Sequence, residues 1–321
     1  MAATIVSTAT REQPADTLLR RHLKHEPGVT REMAAQVSQA VFSFFRWRGW
    51  VKQDLKLESQ IRSALEMAGN FAQRPESITA EELRQRCVPA WVHETMTVEV
   101  AWLRSLQREP RLWLRVKPGR AQALTQVLGY TERCALPDAL AYTGEADLFR
   151  CPEFHAGEFE IQDVSSQAVG LLCAPEAGET WWDACAGEGG KLLHLSALMH
   201  GKGMIWASDR AEWRLKKLKL RTARAKCFNY RAALWDGGPK LPTKTRFDGV
   251  LVDAPCSGLG TWQRNPHARW TTAPEDVGEL AVLQGQLLRH AAASVKPGGK
   301  LVYSVCSLPR AETSEVVAAF Q

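Results

Sequence analysis

At 321 residues and 35.7 kDa, the chain is long enough for two domains or three, each with its own core. An apolar fraction of 45% with 24% charged residues is that of an ordinary soluble globular protein, and no apolar run approaches the roughly 20 residues of a membrane span. A net charge of +6 suits a polyanionic partner without proving one, and Met1–Arg11 lacks the basic-then-apolar order of a secretory signal, so cytoplasmic residence is expected.

The first part of the chain reads as helical. A short helix is expected around Thr17 to Lys24. Thr30 can cap the next, in which Met33, Val37, Ala40, Val41 and Phe44 share one face. A third runs from about Leu55 to Gly69. Gln73 to Ser77 reads as a connection, and Ser77 or Thr79 starts another helix that carries Glu81 and Glu82. From Pro89 the pattern is mixed: Leu112–Val116 alternates as a strand, a helix comes next around Arg120–Leu128, and turn residues continue to Gly157. With few apolar residues of its own, this region should pack on the domain C-terminal to it.

From about Gly178 strand and helix alternate, the pattern of a doubly wound parallel sheet. The strands are expected at Thr180–Asp183, Met204–Ser208, about Tyr230–Trp235, Phe247–Asp253 and Lys300–Val305. Before the last, Leu280, Leu283, Leu287, Ala291 and Val295 mark one face of a helix. Ligands of such sheets gather outside the carboxyl ends of the strands, and three polar motifs fall there.

The first motif is D-A-C-A-G-E-G-G-K, Asp183 to Lys191, a glycine-rich turn that offers backbone N–H groups at a helix start. Its spacing is not G-x-G-x-x-G, which disfavours a nicotinamide cofactor. Asp209, ending the second strand, can accept hydrogen bonds from ribose hydroxyls, or cap the next helix. The second motif is D-A-P-C-S-G, Asp253 to Gly258. It lacks the Asn/Asp-Pro-Pro-aromatic form that suits an exocyclic amine acceptor, and its Pro-Cys pair points to attack on a ring carbon. The third is Y-S-V-C-S, Tyr303 to Ser307. A single strand-end cysteine is more often packing than chemistry, but Cys256 and Cys306 end adjacent elements of the same edge. The eight cysteines include no C-x-x-C pair, so neither a structural zinc site nor a disulfide framework is expected. No metal is expected.

Thiols at this edge have a use. Carbon 5 of cytosine is a poor nucleophile until a thiolate adds to carbon 6 and makes an enamine. A carboxyl group near ring nitrogen 3 offsets the charge that develops, and a base must then remove the carbon 5 proton.

At these motifs the sequence resembles the Rsm/Nop-type RNA cytosine-5 methyltransferases, nearest the bacterial 16S ribosomal RNA methyltransferase B branch. I-Q-D-V-S-S-Q (Ile161–Gln167) is similar to the family's Q-D-x-S-S-Q element, and R-N-P-H-A-R-W (Arg264–Trp270) to its R-N-P-D-x-K-W stretch. The resemblance implies an α/β fold, a Rossmann-like class I methyltransferase domain at 174–321 using S-adenosylmethionine. A helical NusB-like RNA-binding domain at 1–88 and a small α+β accessory domain at 89–173 would precede it. It assigns cofactor binding to Cys185, Ala186, Gly187, Glu188, Gly189, Gly190, Lys191, Asp209, Arg214, Asp236 and Asp253. Cys306 takes the role of the nucleophile and Cys256 that of the thiol needed for release. Lys191 and Asp253 line the cytosine pocket, and the partner is RNA, with ribosomal RNA favoured and a monomer expected.

Some positions depart from the family pattern: Val305 replaces a threonine, Glu188 a proline or small residue, and Ala311-Glu312-Thr313 the common Glu-Glu-Asn. The family continues beyond the strand that precedes Cys306 with two more strands, so a C-terminally truncated domain with an open sheet edge is expected at Gln321. Two other readings stay open. One is a DNA cytosine-5 methyltransferase in which Cys256 attacks; the other is a non-catalytic RNA-binding assembly factor.

The basic run from Arg210 to Arg231, with Arg214, Lys216, Lys217, Lys219, Arg221, Arg224 and Lys226, is either a solvated helix face or an RNA contact. Most of the twelve tryptophans should be packing, with one or two available to stack on bases.

Overall fold

The side chain of Thr30 accepts the Met33 backbone N–H at 3.2 Å and starts the helix Arg31–Trp47, as its position before an apolar periodic run requires. The computed structural model describes residues 1–321, and the chain divides into two compact units. One comprises Met1–Pro110, Cys256–Ala281 and Cys306–Val316; the other comprises Arg111–Pro255, Val282–Val305 and Val317–Gln321.

In the first unit, helices Ala2–Thr8, Ala15–His25, Arg31–Trp47 and Leu57–Gln73 bury Ile5, Leu18, Val41, Phe44, Ile61 and Phe71 in a common core. Each such side chain contributes about 2 kcal/mol by leaving water. Two details differ from expectation. Met33 lies 47% exposed, so the buried stripe begins one turn later, and the helix Ala2–Thr8, too short for a clear period, places Ile5 in the core. Thr79, rather than Ser77, caps the helix Ala80–Arg86, in a capping box with Glu82.

A second cluster gathers Leu83, Val92, Leu103 and Leu106 around Leu259 and Trp262 of the inserted segment. The R-N-P-H-A-R-W stretch anchors there. Arg269 is fully buried and donates to the carbonyls of Arg46, Cys87 and Leu106 at 3.0–3.3 Å, while Trp270 Nε1 donates to the Phe45 carbonyl at 2.6 Å.

The second unit holds two sheets. Strands β1 (Leu112–Val116), β2 (Thr131–Arg133), β3 (Ala139–Tyr142) and β4 (Phe159–Ile161) form an antiparallel sheet in the order β2-β3-β1-β4. Only β1 was expected; β2 and β4 are three residues long, too short for alternation to show. Strands β5 (Thr180–Asp183), β6 (Met204–Asp209), β7 (Tyr230–Leu234), β8 (Phe247–Asp253) and β9 (Val295–Ser304) form a wholly parallel sheet, ordered β7-β6-β5-β8-β9. The chain order reverses beside β5, which makes the carboxyl ends of β5, β6 and β8 the ligand edge of this Rossmann-like sheet.

Strand β9 corrects the sequence reading. It starts at Val295, which was expected on the preceding helix, and that helix ends at Ala292. Phe247 pairs with Val295 and Gly249 with Lys300, so Lys296 to Gly299 bulge out of the ladder without ending it.

The antiparallel sheet is tied to the parallel one by buried charges. Arg115, on β1, donates to Gln162 Oε1 at 2.6 Å and to the Gly190 carbonyl at 2.7 Å. Glu160, on β4, accepts from Arg221 at 2.8 Å and from Arg224. No helix is long and apolar enough to cross a membrane.

Candidate active site

The glycine-rich turn after β5 is held from below and from both sides. Ala186 N–H donates to the Ser208 carbonyl at 2.8 Å, and Gly187 N–H donates to Asp209 Oδ2 at 3.1 Å. Gly187 and Gly189 have φ of 54° and 86°, the left-handed region. A Cβ on Gly189 would also meet Leu218 at 2.9 Å, whereas one on Gly187 would project into open space. The turn then opens the helix Gly190–Leu198, whose first N–H groups face outward from its start. Glu188 points to Lys217, 2.7 Å away, so its departure from a small residue is absorbed by an ion pair.

Asp209 is not the cap of the next helix, although it bonds beside it. Its Oδ1 accepts the Ala211 N–H at 2.8 Å beside the start of helix Glu212–Arg224, whose cap residue is Ala211 itself. Its Oδ2 holds Gly187 and lies 3.6 Å from Arg214. A carboxylate has about four acceptor positions, so capacity for ribose hydroxyls remains. Asp236 lies one residue beyond Trp235, whose N–H donates to the Asp209 carbonyl at 3.2 Å, and Asp236 itself accepts from Gly238 N–H at 2.8 Å.

At the end of β8, Asp253 Oδ2 meets Lys191 Nζ at 2.7 Å and its Oδ1 accepts from Ser304 Oγ at 2.7 Å. Ser304 is the register partner of Asp253 on β9, so strand pairing alone sets this contact. Near this pair, and acting on it electrostatically, is Asp183, a residue not among the expected site residues. Asp183 is fully buried, and no hydrogen bond of ordinary geometry reaches either carboxylate oxygen. Burial, with the Asp253 charge, pushes its carboxyl up to about 7, against the pull of Lys191 and of the Leu192 N–H. An acidic residue closing the first strand was the available signal. Burial likewise pushes the Cys185 thiol above the usual range, as do Asp183, Asp253 and Asp209.

An orphaned buried carboxylate, an open space at Gly187 and a helix start lined with N–H groups form a donor and acceptor set that fits S-adenosylmethionine. Asp183, Asp209 and the loop Cys185–Lys191 are the residues that could hold its amino-acid and ribose parts.

The two thiols belong to the other unit, entered by the chain at Cys256, three residues after Asp253, and at Cys306, two after Ser304. Cys256 Sγ and Cys306 Sγ lie 3.2 Å apart as thiols, without a disulfide between them, and of the eight cysteines Cys306 is the exposed one. The contact with Cys306, then burial, pushes the Cys256 thiol well above its ordinary range. Sequence position puts both cysteines at strand ends, and the fold brings the sulfurs within contact.

Comparison with known proteins bears on the same stretch. The model of the 16S rRNA methyltransferase RsmB/F family matches residues 170–321, which contain every residue of both clusters. Residues 170–321 are an RsmB/F-family methyltransferase domain. A probable ribosomal RNA small subunit methyltransferase B from Synechocystis is 38% identical over 226 residues, 66% of this chain and 50% of the relative. The chain spans about half the length of the curated relatives it matches. Among solved structures, PH0851 superposes with a TM-score of 0.79 over 99% of this chain and 87% of its own, at 22% identity, a likeness of fold. A methyltransferase homolog protein from Pyrococcus horikoshii reaches a TM-score of 0.59 at 28% identity, over 70% of this chain and 74% of its own. The RsmB/F match places Cys256, Cys306, Lys191 and Asp253 all in one family domain, while residues 1–169 lie outside it.

Proposed function

We propose that this chain methylates carbon 5 of cytosine in RNA, with ribosomal RNA as the substrate class, through a covalent bond between Cys306 and carbon 6. The observation that carries the reading is the pair of thiols 3.2 Å apart, Cys306 exposed and Cys256 half-buried. Two unlike thiols suit a reaction in which one sulfur attacks and the other serves release.

Bound by the loop Cys185–Lys191 with Asp183, Asp209, Arg214 and Asp236, S-adenosylmethionine supplies the electrophilic methyl group for carbon 5. Cys306, its proton given up to solvent, adds as the thiolate to carbon 6, and the electron pair of the 5,6 double bond moves to carbon 5. Asp253 lies toward the nitrogen 3 edge and accepts from the exocyclic amine there, and the Lys191 ammonium beside it offsets the negative charge that reaches the ring. After methylation the carbon 5 proton leaves to a base, the double bond re-forms, and the pair of the S–C6 bond returns to Cys306. Cys256 is assigned to this release. The helical residues 1–88 are assigned to RNA binding, and the protein to the cytoplasm as a monomer.

RNA carrying 5-fluorocytosine tests the assignment, because fluorine cannot leave as a proton and the adduct persists. Peptide mapping is expected to find the label on Cys306. Label on Cys256 would favour the DNA-type order of attack. Cys306→Ala is expected to abolish methyl transfer, and Cys256→Ala to leave RNA covalently trapped on the protein even without the fluorine. Calorimetry showing no S-adenosylmethionine binding would instead favour a non-catalytic RNA-binding role.

A further inference from the structure

The residue next after each thiol is a serine, and both serines converge on one buried carboxylate. Glu312 has no exposed surface, and it sits in the short turn Arg310–Glu312. Its Oε1 accepts the Ser257 backbone N–H at 2.9 Å; its Oε2 accepts Ser307 Oγ at 2.5 Å and also Ser257 Oγ. The two serine oxygens are 2.7 Å apart. Gly260 N–H adds a bond to the Cys306 carbonyl at 3.0 Å. Two loops separated by 50 residues of sequence are therefore joined one residue beyond their sulfurs, through an acceptor with no water to compete for it.

Such a joint costs free energy to bury. A carboxylate taken from water is retained only where several donors satisfy it, and here a backbone N–H and two hydroxyls do so. What this arrangement controls is the distance between the loops, and with it the 3.2 Å separation of the thiols. We propose that Glu312 is a positioning residue that sets the Cys256–Cys306 spacing by clamping Ser257 and Ser307. The proposal rests on the two-thiol reading above for its catalytic meaning, but the spacing itself is open to a test that needs no RNA.

Diamide, a diazenedicarboxamide, supplies that test. One thiolate adds to the N=N bond, and the second attacks that sulfur. The S–S bond forms as the S–N bond breaks, and the reagent leaves as the hydrazine, having taken two electrons and two protons. The rate depends on how often the second sulfur lies within reach. Mass mapping of the linked Cys256 and Cys306 peptides reads it in the intact 321-residue chain.

Glu312→Ala is expected to slow this cross-link at least about 10-fold, and to lower kcat for RNA methylation about 100-fold with KM changed little, as a displacement near 1 Å does. Glu312→Gln keeps the acceptor for Ser257 N–H and turns the other hydrogen bonds round, its amide donating to the serine oxygens. It is expected to restore most of both losses, to within about fivefold of the wild type. Equal damage from Gln and Ala would show that the charge matters and overturn a positioning role. A folded Glu312→Ala protein that cross-links at the wild-type rate would overturn it too.

Should the alanine variant not fold, Ser257→Ala/Ser307→Ala removes the hydroxyls while leaving the carboxylate. An unchanged cross-linking rate there would count against the proposal, and a slowed one would support it. If the wild type methylates no RNA, the reading of function fails while the cross-linking rates still decide the role of Glu312.

Discussion

Burial raises the Asp183 carboxyl from 3.8 to about 7, which makes this one side chain a source of pH-dependent stability. Between these values the folded chain holds a proton that the unfolded chain has released. Its stabilising contribution is therefore present below about 4 and is lost as pH rises through 7. Asp183→Asn removes that dependence, since the amide does not ionise. Urea unfolding without ligand is expected to show the wild type losing about 2–3 kcal/mol relative to the variant between pH 5 and pH 8. A constant difference across that range would mean that the carboxyl is already ionised at pH 5. Cys306 and Asp253 could be singled out in the sequence because each stands in a compact motif at or just past a strand terminus. Asp183 offered only its place at the end of a strand, and what distinguishes both it and Glu312 is burial. Asp183 is enclosed by pairing of β5 with β6 and β8, and Glu312 by loops 50 residues apart in sequence.

At the scale of elements, buried ions act as fasteners between segments that the sequence shows only as separate pieces. Arg269 gives its hydrogen bonds to three backbone carbonyls rather than to a carboxylate, and burial lowers its pKa to about 10. Arg269→Met leaves those carbonyls buried without a donor and is expected to cost about 3 kcal/mol in urea unfolding. Glu160→Ala leaves Arg221 and Arg224 unpaired in a mostly buried setting, and a similar loss, about 3 kcal/mol, is expected. Lys219→Ala, on the exposed side of the same helix, serves as the control and is expected to change stability by less than about 0.5 kcal/mol. By sequence the basic run is a solvated face or an RNA contact. Arg221 and Arg224 pair with the buried Glu160, while Arg214, Lys216 and Lys217 also have acidic partners but stay 44–69% exposed, so that part of the face is still solvated. Charge composition reveals a run of cations but not the acids that other strands and loops bring to it.

For the whole molecule, connectivity sets the expectation. The chain passes between its two units five times, at 110/111, 255/256, 281/282, 305/306 and 316/317, so neither unit is one continuous segment. Unfolding one therefore disturbs the ends of every segment of the other. A single calorimetric transition is expected, with its van't Hoff and calorimetric enthalpies equal; two resolved transitions would show that the units melt independently. The sequence alone determined the alternation of strand and helix, the strand ends β5 and β8, the glycine-rich turn and the two cysteines, because each rests on local periodicity or on a compact motif. The tertiary structure alone decided the 3.2 Å thiol pair, the Lys191–Asp253 contact, the orphaned Asp183 and the Glu312 clamp. These depend on which strands lie side by side and on how loops distant in sequence close over one another. Pairing distances of that kind leave no periodic trace in a single chain.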